Sequence, residues 1–244
     1  MTVYAIGNLT AICALWCLAT PDDVGRAAMF ESTKAETDID LSGQVSTDLS
    51  TDPGGTFWRL TSAVYAEQGS YGEAMPQFRT EIRSRWTKQN LYFLFACPYE
   101  QLNLNPSPNT SSETFRLWDR DVAEVFIGSD FQNIQRYKEF EISPQGEWVD
   151  LDVDLTKANH EDGWVWKSGV RVAARVDPAS KVWYGAMRIP FEDLASRAPA
   201  SGETFRINMF WSQQQGAKVA WQPTMSHTFH VPERFGLLRL VEEV

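Results

Sequence analysis

The sequence predicts an all-β fold, an antiparallel β-sandwich with one or two short helices. Short segments in which apolar and polar residues alternate recur along the chain, as expected for strands that are buried on one face. Clusters of turn residues, such as Asp162-Gly163, Asp177-Pro178 and Gln215-Gly216, separate these segments. At 244 residues, the chain is also short enough to be a single all-β domain.

Ten segments have the composition and alternation of strands. They are residues 78–86, 91–97, 122–127, 137–143, 147–155, 164–176, 182–189, 204–213, 219–221 and 235–240. Residues 99–113 are rich in Asn, Pro and Ser and predict a long loop. Pro190 opens a segment, residues 191–196, that predicts one or two helical turns.

The first 38 residues predict an N-terminal extension of uncertain role, with a short helix within residues 21–37, whereas residues 39–244 form the β domain. Residues 9–19 are apolar but too short to span a bilayer. No Lys or Arg precedes them, as it would in a signal peptide, because the first basic residue is Arg26. This segment alone therefore leaves a cytoplasmic location open.

The charge of the chain argues against two classes of partner. The formal net charge is −10, and no run of Lys or Arg is present. Nucleic-acid binding needs clustered Lys and Arg to contact phosphates, and attraction to an anionic membrane surface needs the same groups. Neither a nucleic acid nor a membrane is therefore expected as a partner.

The segment 122–127 carries the most informative pattern. Its alternation places Ala123, Val125 and Ile127 on one face, suited to a packed interior. The other face presents Glu124 between two apolar neighbours, shortly after Trp118. An aromatic plate beside a carboxylate acceptor suits a sugar ring, which has an apolar C–H face and hydroxyl donors. The alternative is structural: Trp118 caps the core, and Glu124 pairs with an arginine such as Arg116 or Arg120.

Several motifs resemble those of family 9 carbohydrate-binding modules over residues 40–244. The central motif is a Trp, two variable positions, an Asp (here Asp121), two more positions, and Glu-Val-Phe-Ile from Glu124 to Ile127. Other matching landmarks are Trp86 with Leu91-Tyr92-Phe93, the segment from Tyr137 to Pro144, Ile189-Pro190-Phe191 and the segment from Pro232 to Leu240. The resemblance implies a jelly-roll or DOMON-like sandwich that binds a mono-, oligo- or polysaccharide without chemistry. It also favours an extracellular or periplasmic location.

The resemblance implies a clamp on a terminal sugar between two aromatic side chains. Trp118 matches the first tryptophan of the family, and Phe229 stands where the family has the second. Glu124 matches the acceptor on the central strand. The family's remaining polar contacts, an Arg, an Asn and a Gln, are replaced here. Candidate ligand-binding residues are Trp118, Asp121, Glu124, Glu141, Asn208 and Phe229, while Ser143 and Phe210 occupy the other matching positions.

Other functions remain open at this stage. The commonest catalytic motifs are absent, but Glu124 with Glu141 or Asp150 provides candidate carboxylate pairs for glycoside hydrolysis. A related DOMON-type domain holds haem, and the candidate axial ligands are Met209, Met225, His227 and His230. An interaction module that has lost sugar binding is a third alternative.

A calcium site is possible near a run of aspartates, although no other cofactor is predicted. Asp150, Asp152 and Asp154 alternate along one strand, about 7 Å apart, so all three cannot ligate one ion. One of them with a loop oxygen could hold Ca²⁺. A solvated edge or an outward face is the alternative, in which case these side chains contact water.

Overall fold

The computed structural model describes residues 28–41, 51–213 and 216–243. The fold is all-β, as predicted, and the described residues form twelve strands joined by loops and short 3₁₀ turns. The strands are β1 (Met29–Lys34), β2 (Ala63–Ala66), β3 (Thr80–Trp86), β4 (Asn90–Pro98), β5 (Val122–Gly128), β6 (Arg136–Ile142), β7 (Trp148–Asp154), β8 (Arg171–Asp177), β9 (Val182–Pro190), β10 (Thr204–Ser212), β11 (Lys218–Ala220) and β12 (Gly236–Val241).

The strands form one continuous sheet that curls into a nearly closed sandwich. Their order is β7-β6-β5-β10-β12-β1-β3-β4-β9-β8, with β11 added to β10 and β2 added to β3. Neighbouring strands are antiparallel except around β1, which runs parallel to both β12 and β3. Antiparallel pairing allows the short connections that turn residues mark in the sequence.

Strand β1 shows that the N-terminal segment contributes to the sheet. We predicted a short helix within residues 21–37, but Met29–Lys34 is a strand, and residues 21–27 lie outside the described part. Its side chains alternate between exposed and buried, with Phe30 and Ser32 inside, which is the period of a strand. The helix prediction was therefore wrong for residues 29–34, because pairing with β12 and β3 determines the conformation there.

The main hydrophobic core lies between the two halves of the sheet. Ala123, Val125 and Ile127 of β5 enter it, as the alternation predicted, and meet β4 side chains such as Phe93 and Phe95. All are at most 1% exposed. This packing fixes the orientation of β5, so the side chains between them point to the opposite face of the sheet.

That opposite face, over β5, β6, β7 and β10, is also covered. Leu117, Val122, Phe126, Val149 and Phe210 belong to a second apolar cluster there. Loop side chains pack on it, including Trp118, Trp164 and Phe229. The loops therefore form a layer over the outer face, and they leave a cleft above β5 and β6.

Two sequence predictions about β7 and its surroundings were wrong. Residues 160–165 form a 3₁₀ segment, and only Arg171–Asp177 of the predicted strand 164–176 is extended. The aspartate face of β7 is not uniformly solvated, because Asp150 is fully buried and accepts a hydrogen bond from the Ser168 hydroxyl. Loop residues 160–170 cover this strand, and short-range alternation carries no information about such a covering.

Two predictions, for residues 99–113 and for the segment after Pro190, were confirmed. Residues 99–113 form an irregular loop, and the helical prediction after Pro190 corresponds to a single 3₁₀ turn, Phe191–Asp193. Within the described ranges, no helix has the length and apolar character needed to cross a membrane.

Candidate functional site

A cleft of about 200 Å³ opens on the outer face of the sheet, above β5 and β6. Its floor comes from the strands and its walls from the loops around residues 118, 160 and 229. It is smaller than the roughly 300–1,000 Å³ typical of drug-sized ligand pockets, so it fits a small ligand or one end of a longer one. Its lining comprises Trp118, Glu124, Phe126, Glu139, Glu141, Leu151, His160, Glu161, Ser212, Lys218, His227, Thr228, Phe229 and His230.

Three carboxylates meet on the floor of the cleft. Glu124 of β5 lies directly opposite Glu141 of β6, and Glu139 shares the face of Glu141 because it is two residues away. One oxygen of each carboxylate lies within 4.8 Å of the others. None of the three residues is more than 4% exposed. Glu124, Glu139 and Glu141 are called the acidic triad below.

Burial and mutual repulsion disfavour the charged forms of the acidic triad. Burial raises the pKa of Glu139 to about 7. The pKa of Glu124 is raised well above its usual range by burial and then by the charge of Glu139, while Lys218 acts in the opposite direction. Burial, and then the charges of Glu124 and Glu139, also raise the pKa of Glu141. The triad therefore holds protons more readily than exposed glutamates do.

The two candidate aromatic residues line this same cleft. Trp118 lies in the 3₁₀ turn Leu117–Asp119 and packs edge-on against Phe115, with ring centroids 5.5 Å apart. Phe229 stacks on the fully buried Phe210, at 4.0 Å between centroids and 11° between planes. Both Trp118 and Phe229 are partly exposed. Phe210 therefore holds Phe229 in place from behind and is not itself part of the cleft lining.

A pair of histidines closes one side of the cleft. The Nε2 atoms of His160 and His230 are 3.2 Å apart, and the Nδ1 atom of His230 lies 2.6 Å from the Tyr137 hydroxyl. Burial, and then the proximity of His160, lower the pKa of His230 to about 3. His230 is therefore neutral at neutral pH, and hydrogen bonds engage both of its ring nitrogens.

The other two candidate residues, Asp121 and Asn208, lie outside the cleft lining. Asp121 is fully buried, and its Oδ2 accepts a hydrogen bond of 2.9 Å from the Asn103 backbone N–H. Asn208 is also fully buried and hydrogen-bonds with both backbone groups of Gln222. Both side chains secure loops to the sheet.

No arginine in the described part of the chain forms an ion pair with Glu124, contrary to the structural alternative. Arg116 pairs with Asp119 at 2.9 Å, and Arg120 donates a hydrogen bond to the Asn103 side chain. The ion pairs within the described ranges include none between Glu124 and an arginine. Among the lining residues, Lys218 is the only lysine or arginine.

Sequence reasoning missed Glu139, His160 and Lys218 as members of the cleft. The signal for Glu139 was present, because alternation along residues 137–143 places it on the face of Glu141. His160 and Lys218 arrive from a loop and from the short β11, whose positions depend on tertiary packing. Local pattern carries no information about such long-range approaches.

Two of the candidate haem ligands, Met209 and His230, lie on opposite faces of the sheet. Met209 is fully buried in the main core, whereas His230 stacks on Phe126 at the outer face of the same sheet. These two side chains therefore cannot hold one haem between them. Met225 is 48% exposed and lies on a loop.

The fold and the cleft define an all-β domain with a small cleft lined by aromatic and acidic side chains. Residues 54–243 match the model of the family described as carbohydrate family 9 binding domain-like, and the chain therefore belongs to this family. The membership confirms the resemblance drawn from the central motif.

Solved structures share the fold. A family 9 carbohydrate-binding module from Caldicellulosiruptor kristjanssonii in complex with cellotriose has a TM-score of 0.60 at 13% identity, over 89% of this chain and 95% of that one. The glucose complex of such a module from the same organism has a TM-score of 0.58 at 14% identity, over 89% and 97%. A candidate carbohydrate-binding protein from Bacteroides uniformis has a TM-score of 0.64 at 15% identity, over 88% and 99%. The comparison with curated proteins gave no match.

Proposed function

We propose that this protein is a non-catalytic module that binds the end of a saccharide in the cleft, with Trp118 and Phe229 stacking on the sugar ring. The observation that carries the proposal is that both aromatic side chains and Glu124 line one small cleft. Carbon-bound hydrogens of a sugar pack on aromatic faces, and its hydroxyl groups donate to carboxylate oxygens. Glu124, with Glu141 beside it, accepts these hydrogen bonds.

Family membership and the saccharides bound by structural neighbours support this assignment. The modules from C. kristjanssonii hold cellotriose and glucose, and β-linked glucose is therefore the first ligand to test. Glu141, Ser143 and Phe210 stand where the family has its other polar contacts, so the preferred sugar can differ. An extracellular or periplasmic location, where polysaccharides are met, belongs to the same proposal.

Isothermal titration calorimetry with glucose, cellobiose, cellotriose and a wider panel of oligosaccharides tests the proposal. Each sugar is titrated once with a chelator and once with added calcium. Cellotriose reduced with borohydride is the matched ligand control, because reduction opens only the terminal ring. We expect one binding site per protein molecule. The Kd for reduced cellotriose should differ from the Kd for cellotriose. Absence of binding to every saccharide under both conditions would favour an interaction module that has lost sugar binding.

A further inference from the structure

The floor of the cleft concentrates negative charge with little compensation. The acidic triad supplies three carboxylates, and Glu161 adds a fourth to the lining. Lys218 is the only lysine or arginine among the lining residues, and it is exposed at the rim. Like charges directly opposite each other on neighbouring strands destabilise a sheet, so this arrangement costs stability unless something balances it.

Unsatisfied oxygen atoms provide a second, independent observation. Both carboxylate oxygens of Glu141 and the Oε2 atom of Glu139 are buried and have no hydrogen-bond donor among the described groups. Glu141 is 1% exposed, and it lines the cleft. A buried carboxylate that lacks donors normally binds a cation or a proton. These oxygens are therefore available to a ligand.

We propose that Glu124, Glu139 and Glu141 form a binding site for a divalent cation that prefers oxygen ligands, best matched by Ca²⁺. Three carboxylates with oxygens within 4.8 Å of one another converge on one point, as coordination of a single ion requires. They supply up to six oxygen atoms, and Ca²⁺ takes six to eight. Water or a ligand hydroxyl completes the shell from the cleft.

The donor set favours calcium over zinc. The imidazoles of His160 and His230 face each other at 3.2 Å, and Tyr137 engages the second nitrogen of His230. The Nε2 atom of His230 also lies 4.0 Å from Glu139. The ring nitrogens of His230 are thus occupied by hydrogen bonds, and the three residues whose ligand atoms converge are all glutamates. Hard cations such as Ca²⁺ take oxygen, whereas Zn²⁺ takes nitrogen and sulfur readily.

Protons are the competing occupant of these oxygens. Glu139 and Glu141 lie close enough to share a proton, and such sharing would neutralise part of the triad without a metal. The two occupants respond differently to pH, since metal binding requires deprotonated carboxylates. The cation proposal is independent of sugar binding, because the metal is titrated without saccharide.

The test is calorimetric titration of CaCl₂ into chelator-treated full-length protein near neutral pH, with MgCl₂, MnCl₂ and ZnCl₂ in parallel. We expect one saturable Ca²⁺ site with a Kd between about 10⁻⁶ and 10⁻³ M, within the range of known calcium sites. Glu141→Gln should weaken Ca²⁺ at least about tenfold, because the charge count of the ligands sets the affinity. Because Glu141→Gln removes one of several neighbouring negative charges, we expect the variant to fold. Circular dichroism verifies that it is folded.

Glu31→Gln is the matched control variant. Glu31 is exposed on β1 and lies outside the cleft lining, and the substitution removes the same unit of charge. The control should keep wild-type Ca²⁺ affinity. Absence of Ca²⁺, Mg²⁺ and Mn²⁺ binding would overturn the proposal in favour of shared protons. Unchanged Ca²⁺ affinity in Glu141→Gln, or Zn²⁺ binding lost only in His230→Ala, would overturn it as well.

Discussion

Glu124 and Glu141 face each other across an antiparallel strand pair, and both are buried on the floor of one cleft. The two glutamates cannot move apart, because the side chains flanking Glu124 pack in the apolar clusters on both faces of the sheet. The sandwich therefore tolerates an acidic pair at the position where a ligand would reach it. The ligand binding proposed for this cleft gives a reason why such a destabilising arrangement is kept.

The acidic pair predicts that removal of one charge stabilises the protein. In the absence of divalent cations, we expect Glu141→Gln to raise Tm above that of the wild type near pH 8. Loss of one uncompensated buried charge gains roughly 1 kcal/mol or more, which corresponds to about 2–4 °C for a chain of this size. Differential scanning calorimetry measures the change.

Glu31→Gln is the control for this experiment, since Glu31 is exposed on β1 and the substitution removes the same unit of charge. Its Tm should stay within about 1 °C of the wild type. A lower Tm for Glu141→Gln would show that Glu141 makes a stabilising contact with a protein group.

A second prediction concerns pH. Burial raises the pKa of Glu139 to about 7, so the folded state holds a proton that the unfolded state releases above about pH 4.5. Stability from this group is therefore lost as pH rises from about 4.5 through 7. The titratable groups around Glu139 are Glu124, Tyr137, Glu141, Glu161 and His230. Thermal melts of the wild type and Glu139→Gln across this range, with chelator, should show a smaller decline in the variant.

His230 acts in the opposite direction at lower pH. Because burial lowers its pKa to about 3, the unfolded state binds a proton that the folded state excludes between about pH 6.5 and 3. Stability from His230 is therefore lost as pH falls through that range. The two contributions cancel where their ranges overlap, so the stability from these two groups is greatest between about pH 4.5 and 6.5. A monotonic rise of Tm with pH up to about 8 would contradict the assignment for Glu139.

The sequence predicted much of the sheet and only part of the cleft. Alternation in residues 122–127 assigned the two faces of β5 correctly, because that strand is constrained by packing on both sides. Alternation in residues 122–127 placed Glu124, and alternation in residues 137–143 placed Glu141, on the faces that form the cleft floor. The partner strands of β1 and the approach of the loop carrying His160 depend on long-range contacts. Such contacts leave no short-range period in the sequence.

The stacking role proposed for Trp118 predicts a selective loss of saccharide binding. We expect Trp118→Ala to weaken the best saccharide by roughly 2 kcal/mol or more, about 30-fold in Kd, because truncating a central aromatic residue removes most of its contact. Calorimetry or affinity electrophoresis gives the change. Phe131→Ala removes an aromatic side chain that is 49% exposed outside the cleft, and it should bind as the wild type does. Equal losses in both variants would argue against a specific stack.

Phe229 offers the complementary gain-of-function variant. Tryptophan has a larger ring surface than phenylalanine, and the family has tryptophan at this position. Phe229→Trp should therefore tighten saccharide binding by roughly 0.5–1 kcal/mol. Phe210 stacks behind this position, and the larger tryptophan must fit without displacing it. The Tm of Phe229→Trp is therefore measured in parallel, because poor packing would lower it. Weaker binding at unchanged Tm would place the second wall of the cleft elsewhere.

The last prediction is that the protein does not hydrolyse the saccharides it binds. A glycosidase needs two carboxyl groups on either side of the scissile bond, roughly 5–5.5 Å apart for retention and 6.5–9.5 Å for inversion. Glu124 and Glu141 line the cleft from neighbouring strands, and their nearest oxygens lie within 4.8 Å. Both therefore approach a bound sugar from the same floor, which suits joint binding and not acid catalysis opposite a nucleophile. Incubation with aryl glycosides and oligosaccharides, with and without Ca²⁺, should release no product. Turnover that disappears in Glu124→Gln would show that the pair is catalytic.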